Sequence, residues 1–296
     1  MPQLQQTLFP QLQQVAKDTL IIIGNGFDLA HDIKSSYWDF REWLYKNGNT
    51  KLVNMMDVFF SNERDVWSGI EQAFGEYDEE AILDYCRPDE EFDIEHSLSS
   101  SARVEDSPMA FFQPVLEEFK DAFEEWVDNI DINGIKNVYH LDPLCRYLTF
   151  NYTDTLETRY GIPINQIAHI HGSRQNNEEY VVGHNNPRNL SDAWDEDGLI
   201  FEQQAHENII SWMNGFVKDY ESNITNHKEF FNGLFGVKQI ITYGHSMARV
   251  DWPYFAEIIK IVGVNVPWRV SCFSMNDRNN TAEFQKHFGL TNVTII

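Results

Sequence analysis

Basic residues are scarce in this 296-residue chain: 22 Lys and Arg stand against 46 Asp and Glu, a net charge of −24 at pH 7. A field of that sign repels phosphate backbones, so general nucleic-acid binding is not expected. A small phosphate ligand is still allowed, because a local nest of N–H groups outweighs a distant field. Cysteine is scarcer still. Cys86, Cys145 and Cys272 are far apart, odd in number and form no Cys-x-x-Cys for a zinc ribbon or a redox pair. This usage fits a reducing, cytoplasmic setting. No apolar run approaches the about 18 residues of a membrane span. The N-terminus has no basic residue before Lys17 and no unbroken apolar core, so a secretory signal is not expected. His-Glu-x-x-His, the helical zinc signature, is missing as well.

What the chain does have is apolar mass. Hydrophobic residues make up 42% and aromatic residues 14%, which allows a sizeable core and excludes a disordered chain. The length permits one large or two small domains.

The organising stretch is Thr19-Leu20-Ile21-Ile22-Ile23-Gly24-Asn25-Gly26-Phe27-Asp28-Leu29-Ala30. A short apolar run closed by glycines reads as a strand buried on both faces of a parallel sheet. The glycines permit a sharp turn and close approach of another molecule. A helix starting there would favour an anion over the turn, as in the first strand of a dinucleotide-binding sheet. The third glycine of Gly-x-Gly-x-x-Gly is absent, since position 29 is Leu.

Around it, residues 1–18 place Leu4, Leu8, Leu12 and Val15 at helical spacing, a short amphipathic segment. Helical patterns run from Tyr37 to Leu44, Arg64 to Glu76, Glu79 to Cys86 and Ala110 to Ile130, separated by an acidic, Ser-rich loop from Arg87 to Ser107. Strand patterns follow at Arg146–Phe150, Gln166–Ile170, Tyr180–Val182, Lys238–Tyr243, Trp268–Phe273 and Asn292–Ile296. Helical stretches at 153–160, 193–235, 252–262 and 281–288 alternate with them. The expected fold is α/β and Rossmann-like: a mainly parallel sheet of about six strands, helices on both faces and large helical insertions. The expected organisation is a segment 1–18, then a single domain 19–296 with insertions at about 40–140 and 190–235.

Strand after strand ends in small or polar residues: Gly-Asn-Gly, Phe-Asn-Tyr-Thr, His-Gly, Gly-His-Asn, Gly-His-Ser and Met-Asn-Asp. In open α/β sheets ligands bind beyond the C-terminal ends of the strands, so these residues furnish one crevice. Each also has a plain use. Asn151 is a fit N-cap for a helix over 153–160, Gly172 and Gly244 are fit turn residues, and Asp28 suits helix capping.

Four blocks carry a resemblance over roughly residues 18–255: Ile-Ile-Ile-Gly-Asn-Gly-Phe-Asp-Leu-Ala-His at 21–31, Leu-Thr-Phe-Asn-Tyr-Thr-Asp-Thr-Leu-Glu at 148–157, His-Ile-His-Gly at 169–172 and Gly-His-Ser-Met-Ala-Arg-Val-Asp at 244–251. They resemble the AbiH family of bacteriophage abortive-infection proteins, which implies a role in phage defence. More loosely, Gly24-Asn25-Gly26, Thr149-Phe150-Asn151-Tyr152, His171-Gly172 and Gly244-His245-Ser246 are similar to blocks of sirtuin-like NAD-consuming domains. Asn25 stands where those domains have Ala, and Thr153 where they have Asp, with Asp154 one residue later. The sirtuin zinc module is absent, which argues against lysine deacetylation.

That second resemblance implies NAD as a substrate, cleaved to nicotinamide and ADP-ribose, with no metal. Cleavage passes through a sugar cation, as in glycoside hydrolysis. The implied catalytic residues are Asn151, fixing ribose or water, His171 as general base and Asp28 as stabiliser of positive charge. The implied dinucleotide contacts are Gly24, Asn25, Gly26, Phe27, Thr153, Asp154, Gly244, His245, Ser246 and Asp251, with Asn276 or Asp277 at the adenine-side ribose. Two alternatives stand beside this. His169 and His171, two apart on a strand and hence on one face, with His184 and His245, suit a metal-dependent hydrolase. The departure at Thr153 suits a sensor that binds NAD or ADP-ribose without turnover. The segment 1–18 and the loop 87–107 offer surface to a regulatory protein partner or to a homo-oligomer.

Overall fold

The computed structural model describes residues 18–60, 66–86, 106–134, 136–175, 179–193 and 200–296. Nearly all of the amphipathic segment expected at 1–18 and of the acidic loop 87–107 lies outside them. The chain divides into two compact units, one of Met1–Ser36, Val127–Val181 and Asp219–Ile296, the other of Tyr37–Trp126 and Val182–Lys218.

The first unit is a six-stranded sheet in the order β3-β2-β1-β4-β5-β6, every pair parallel. Its strands are β1 (Thr19–Ile23), β2 (Arg146–Thr149), β3 (Ile167–His169), β4 (Gln239–Tyr243), β5 (Trp268–Val270) and β6 (Val293–Ile295). The order reverses between β1 and β4, so these two strands flank the topological switch point. Both faces of the sheet are covered, as its continuous apolar strands require. Leu20 and Ile22 join Leu148, Ile240 and Trp268 on one face. There they meet Phe231, Tyr254, Phe255, Ile258 and Phe284 from the helices that follow β3, β4 and β5. Ile21 and Ile23 join Tyr147, Ile241 and Tyr243 on the other face, under Phe27, Leu156 and Tyr139.

Helices of this unit are α1 (Asn25–Ala30), α7 (Thr155–Tyr160), α9 (Tyr220–Asn226), α10 (Lys228–Asn232), α11 (Trp252–Val262) and α12 (Met275–Phe288). Pro253 at the first turn starts α11, and Gly263 with φ 87° ends it. Helix α12 begins at Met275, six residues before the expected Thr281, with Ser274 as its N-cap. The Ser274 hydroxyl accepts from the Asp277 N–H, and the Asp277 carboxylate accepts from the Ser274 N–H, a capping box.

The second unit contains α2 (Tyr37–Lys46), α3 (Thr50–Phe59), α4 (Ile70–Gly75), α5 (Glu79–Cys86), most of α6 (Gln113–Asp128) and α8 (Ile200–Asn214). Its core is aromatic: Phe119 packs at ring distances of 5.9 Å on Phe40 and 5.1 Å on Phe74. The ammonium of Lys218 is fully buried there and paired with Glu71 at 2.7 Å.

Two further expectations fail. Tyr180–Val182 forms no strand. The Val181 N–H donates to the His171 carbonyl at 2.9 Å, so the segment follows the loop after β3 rather than the sheet edge. Asn151 does not cap a helix. Helix α7 begins two residues later than expected, with Asp154 at its N-cap. Among the described residues, no helix is long and apolar enough to cross a membrane.

Candidate functional site

At the switch point, β1 turns directly into α1 against the turn that ends β4. The Gly24 N–H donates to the Tyr243 carbonyl at 3.0 Å, and the Gly26 N–H to the Gly244 carbonyl at 2.9 Å. The Gly244 N–H donates to Ser271 Oγ at 2.9 Å. A Cβ on Gly24 would lie 2.6 Å from His245 Cα, and one on Gly26 2.8 Å from Gly244 Cα. At Gly244, with φ +65°, a Cβ would meet the Phe27 nitrogen at 2.1 Å. The glycines therefore let two backbones interlock. The amides of Gly24 and Gly26, expected to face a phosphate, are committed to the β4 turn. Asn25 is exposed and accepts from the Ser35 hydroxyl at 2.6 Å. Phe27 is core, stacked on Tyr139 at 5.1 Å.

One turn into α1 sits Asp28, only 1% exposed. Thr153 Oγ1 donates to its Oδ2 at 2.6 Å, and the Thr153 and Thr155 hydroxyls lie 3.0 Å apart. Burial pushes the Asp28 carboxyl up to about 6, against the opposing pull of the Thr153 and Thr155 hydroxyls and the nearby Asn151 amide. Asn151, 6% exposed, approaches Asp28 but forms no side-chain hydrogen bond of ordinary geometry. Its Oδ1 and Nδ2, and Asp28 Oδ1, are buried without a partner. Each such group costs about 1–3 kcal/mol, so a native fold keeps it where something else meets it. Asp154, expected among the dinucleotide contacts, is otherwise engaged: Arg174 binds its Oδ1 and Gln175 its Oδ2.

The second group lies at the ends of β3 and β4. Thr149 and His169 are register partners, so Asn151 and His171 each stand two residues beyond paired strand ends. His171 Nε2 faces Asp251 Oδ1 at 3.4 Å, and His245 Nε2 faces Asp251 Oδ2 at 3.3 Å. The Met247 N–H donates to His245 Nδ1 at 2.9 Å, which puts the proton of neutral His245 on Nε2, toward Asp251. Met247 adopts φ 56° to do so, a left-handed conformation that is uncommon outside glycine. Phe150 lies between the two imidazoles, at 5.1 Å from His171 and 4.4 Å from His245. Asp251, expected to contact the dinucleotide, instead holds both rings.

His169 and His171 do not share a face, because the chain leaves the sheet after β3. His169 is met by Glu157 of α7 at 2.7 Å and by the Asn151 carbonyl at 3.2 Å, whereas His171 packs on Phe150 and Tyr254 of the opposite core. His184 lies in the second unit, its Nε2 on the Met213 carbonyl at 2.9 Å and its Nδ1 accepting from the Asn186 N–H at 3.2 Å. Among the described residues, no group of three His, Cys, Asp or Glu is arranged to hold a metal ion. Ser246 is exposed, and its carbonyl accepts from Asn280 Nδ2 at 3.1 Å. Asn276 is exposed on the first turn of α12, while Asp277 Oδ2 caps that helix. Sequence reasoning missed Thr155, Arg174 and Ser271. The Thr153-x-Thr155 spacing was a visible signal for the first. The other two act through contacts that sequence distance hides.

A family model described as Bacteriophage abortive infection AbiH matches residues 20–272. The chain belongs to this family, and membership supports an anti-phage, abortive-infection role. No curated protein and no solved structure matches the chain.

Proposed function

We propose that this AbiH-family protein binds NAD at the C-terminal ends of β1, β2 and β4 and hydrolyses it to nicotinamide and ADP-ribose. The observation that carries the reading is the buried, unpartnered trio of Asp28 Oδ1, Asn151 Oδ1 and Asn151 Nδ2 beside the switch point. A ribose diol has the matching chemistry. Each hydroxyl both donates and accepts, so the pair satisfies a carboxylate oxygen and both ends of a carboxamide.

In this reaction the bond between ribose C1′ and the nicotinamide nitrogen breaks. Its electron pair neutralises the pyridinium, so no acid is needed. The ribosyl cation left behind is stabilised by the Asp28 carboxylate, in a buried setting where charge interactions are strong. Water adds to C1′ and gives its proton to His171, which Asp251 orients. With burial holding the Asp28 carboxyl up to about 6, turnover falls as pH drops below that value and the carboxylate takes up its proton.

Purified protein incubated with NAD should release nicotinamide and ADP-ribose in equal amounts, read by chromatography. Intact NAD after prolonged incubation at stoichiometric protein, with no product, overturns hydrolysis. Calorimetric binding of NAD under those conditions would then favour the non-catalytic sensor.

A further inference from the structure

We infer that Phe273 and Met275 form a platform for the adenine base of the dinucleotide, an inference that rests on the NAD reading above. Both are large apolar side chains left open to solvent, 67% and 71% exposed, within three residues of each other where β5 turns into α12. Scattered exposed hydrophobes need no explanation, but these two are held out by a pinned backbone. Asp277 Oδ2 accepts from the Phe273 N–H at 3.0 Å and the Ser274 N–H at 2.9 Å, and the Asp277 N–H donates to Ser274 Oγ at 3.0 Å.

The turn is also continuous with the candidate site. Ser271 Oγ takes the Gly244 N–H, and Asn280 Nδ2 donates to the Ser246 carbonyl, so the β5–α12 turn is stitched to the turn that ends β4. That turn in turn interlocks with Gly24 and Gly26. Asp28 and Asn151 lie on the β1–β2 side of the switch point, and Phe273 and Met275 on the β4–β5 side. At a strand spacing of about 4.8 Å, β2 and β5 are roughly 14 Å apart. Two nucleosides joined by a pyrophosphate reach both. Charge agrees with this placement. Residues 239–296 carry five Lys and Arg against four Asp and Glu, in a chain of net charge −24. The phosphates of an adenine nucleotide meet no net repulsion from this stretch, unlike from the rest of the sequence.

The test compares NAD with nicotinamide mononucleotide, which lacks the adenosine half. In a Phe273→Ala/Met275→Ala variant the KM for NAD should rise about tenfold or more, the size of one base–aromatic stack. The preference in kcat/KM for NAD over the mononucleotide should shrink by the same factor. Phe273→Trp should restore both. An unchanged melting temperature would show that the fold is intact, as expected for exposed side chains. A KM for NAD within twofold of wild type overturns the platform and leaves the NAD reading standing. If wild-type protein turns over neither substrate, the hydrolysis reading fails, and AMP calorimetry decides the platform. AMP binding that the double variant loses sustains it, and absence of AMP binding to wild type overturns it.

Discussion

Asp28 shows at the scale of one residue how this fold accepts instability at the C-terminal end of its sheet. Its carboxyl titrates at about 6 in the folded chain, against an ordinary 3.8. The folded state therefore binds the proton more tightly than the unfolded one, and stability falls as pH rises from about 4 to about 6. Above that range the ionised, buried carboxylate costs about 3 kcal/mol, from two pKa units at about 1.4 kcal/mol each. Asp28→Asn should melt several degrees above wild type at pH 7.5 and level with it at pH 4, while turnover of NAD is lost. Equal melting at pH 7.5 would show that the carboxylate is not strained by burial. Asn151→Ala and His171→Ala should each lower kcat by roughly 10²–10⁴-fold. His169→Ala should instead weaken the α7 packing, because its ring joins Glu157 to the Asn151 carbonyl. If His169→Ala and chelators abolish turnover while His171→Ala retains it, the metal-hydrolase alternative takes precedence.

Among the elements, the interlocked turns after β1 and β4 define the site. Their geometry demands glycine three times over, and most of all at Gly244, where a left-handed φ coincides with the Phe27 backbone at 2.1 Å from a would-be Cβ. Gly244→Ala should destabilise the protein by several kcal/mol, a loss readable in denaturant titration, since backbone cannot yield as a side-chain tip can. A near-wild-type midpoint would mean that the turns separate freely. The same interlock explains why a Gly-x-Gly turn that looks like a phosphate cradle in sequence spends its amides on another strand's turn.

For the whole molecule the charge is the dominant property. A net −24 should keep random duplex DNA or RNA unbound at physiological salt, which a mobility-shift assay checks. Self-repulsion should also make the fold salt-sensitive. Raising ionic strength from about 0.01 M to about 0.1 M shortens the Debye length from about 30 Å to about 10 Å and should raise the melting temperature. A flat or falling response would show that opposite charges are already paired across the surface.

Sequence alone determined the parallel α/β sheet, its six strands and the end of the sheet at which polar residues gather. Those are local matters: β-branched runs such as Leu20–Ile23 make buried strands, and Pro253 and Gly263 bound α11. The family, too, was legible in four ordered blocks. What only the tertiary structure decided was the grouping of the site residues. Asp28 and Asn151 are separated by more than a hundred positions, and their joint lack of partners exists only once β1 and β2 are neighbours. Asp251 was read as a ligand contact because spacing cannot show that His171 and His245, from two different strand ends, close on it from either side. The two rings His169 and His171 parted for the same reason. Period-two alternation holds only while the chain stays in the ladder, and β3 leaves it at His169.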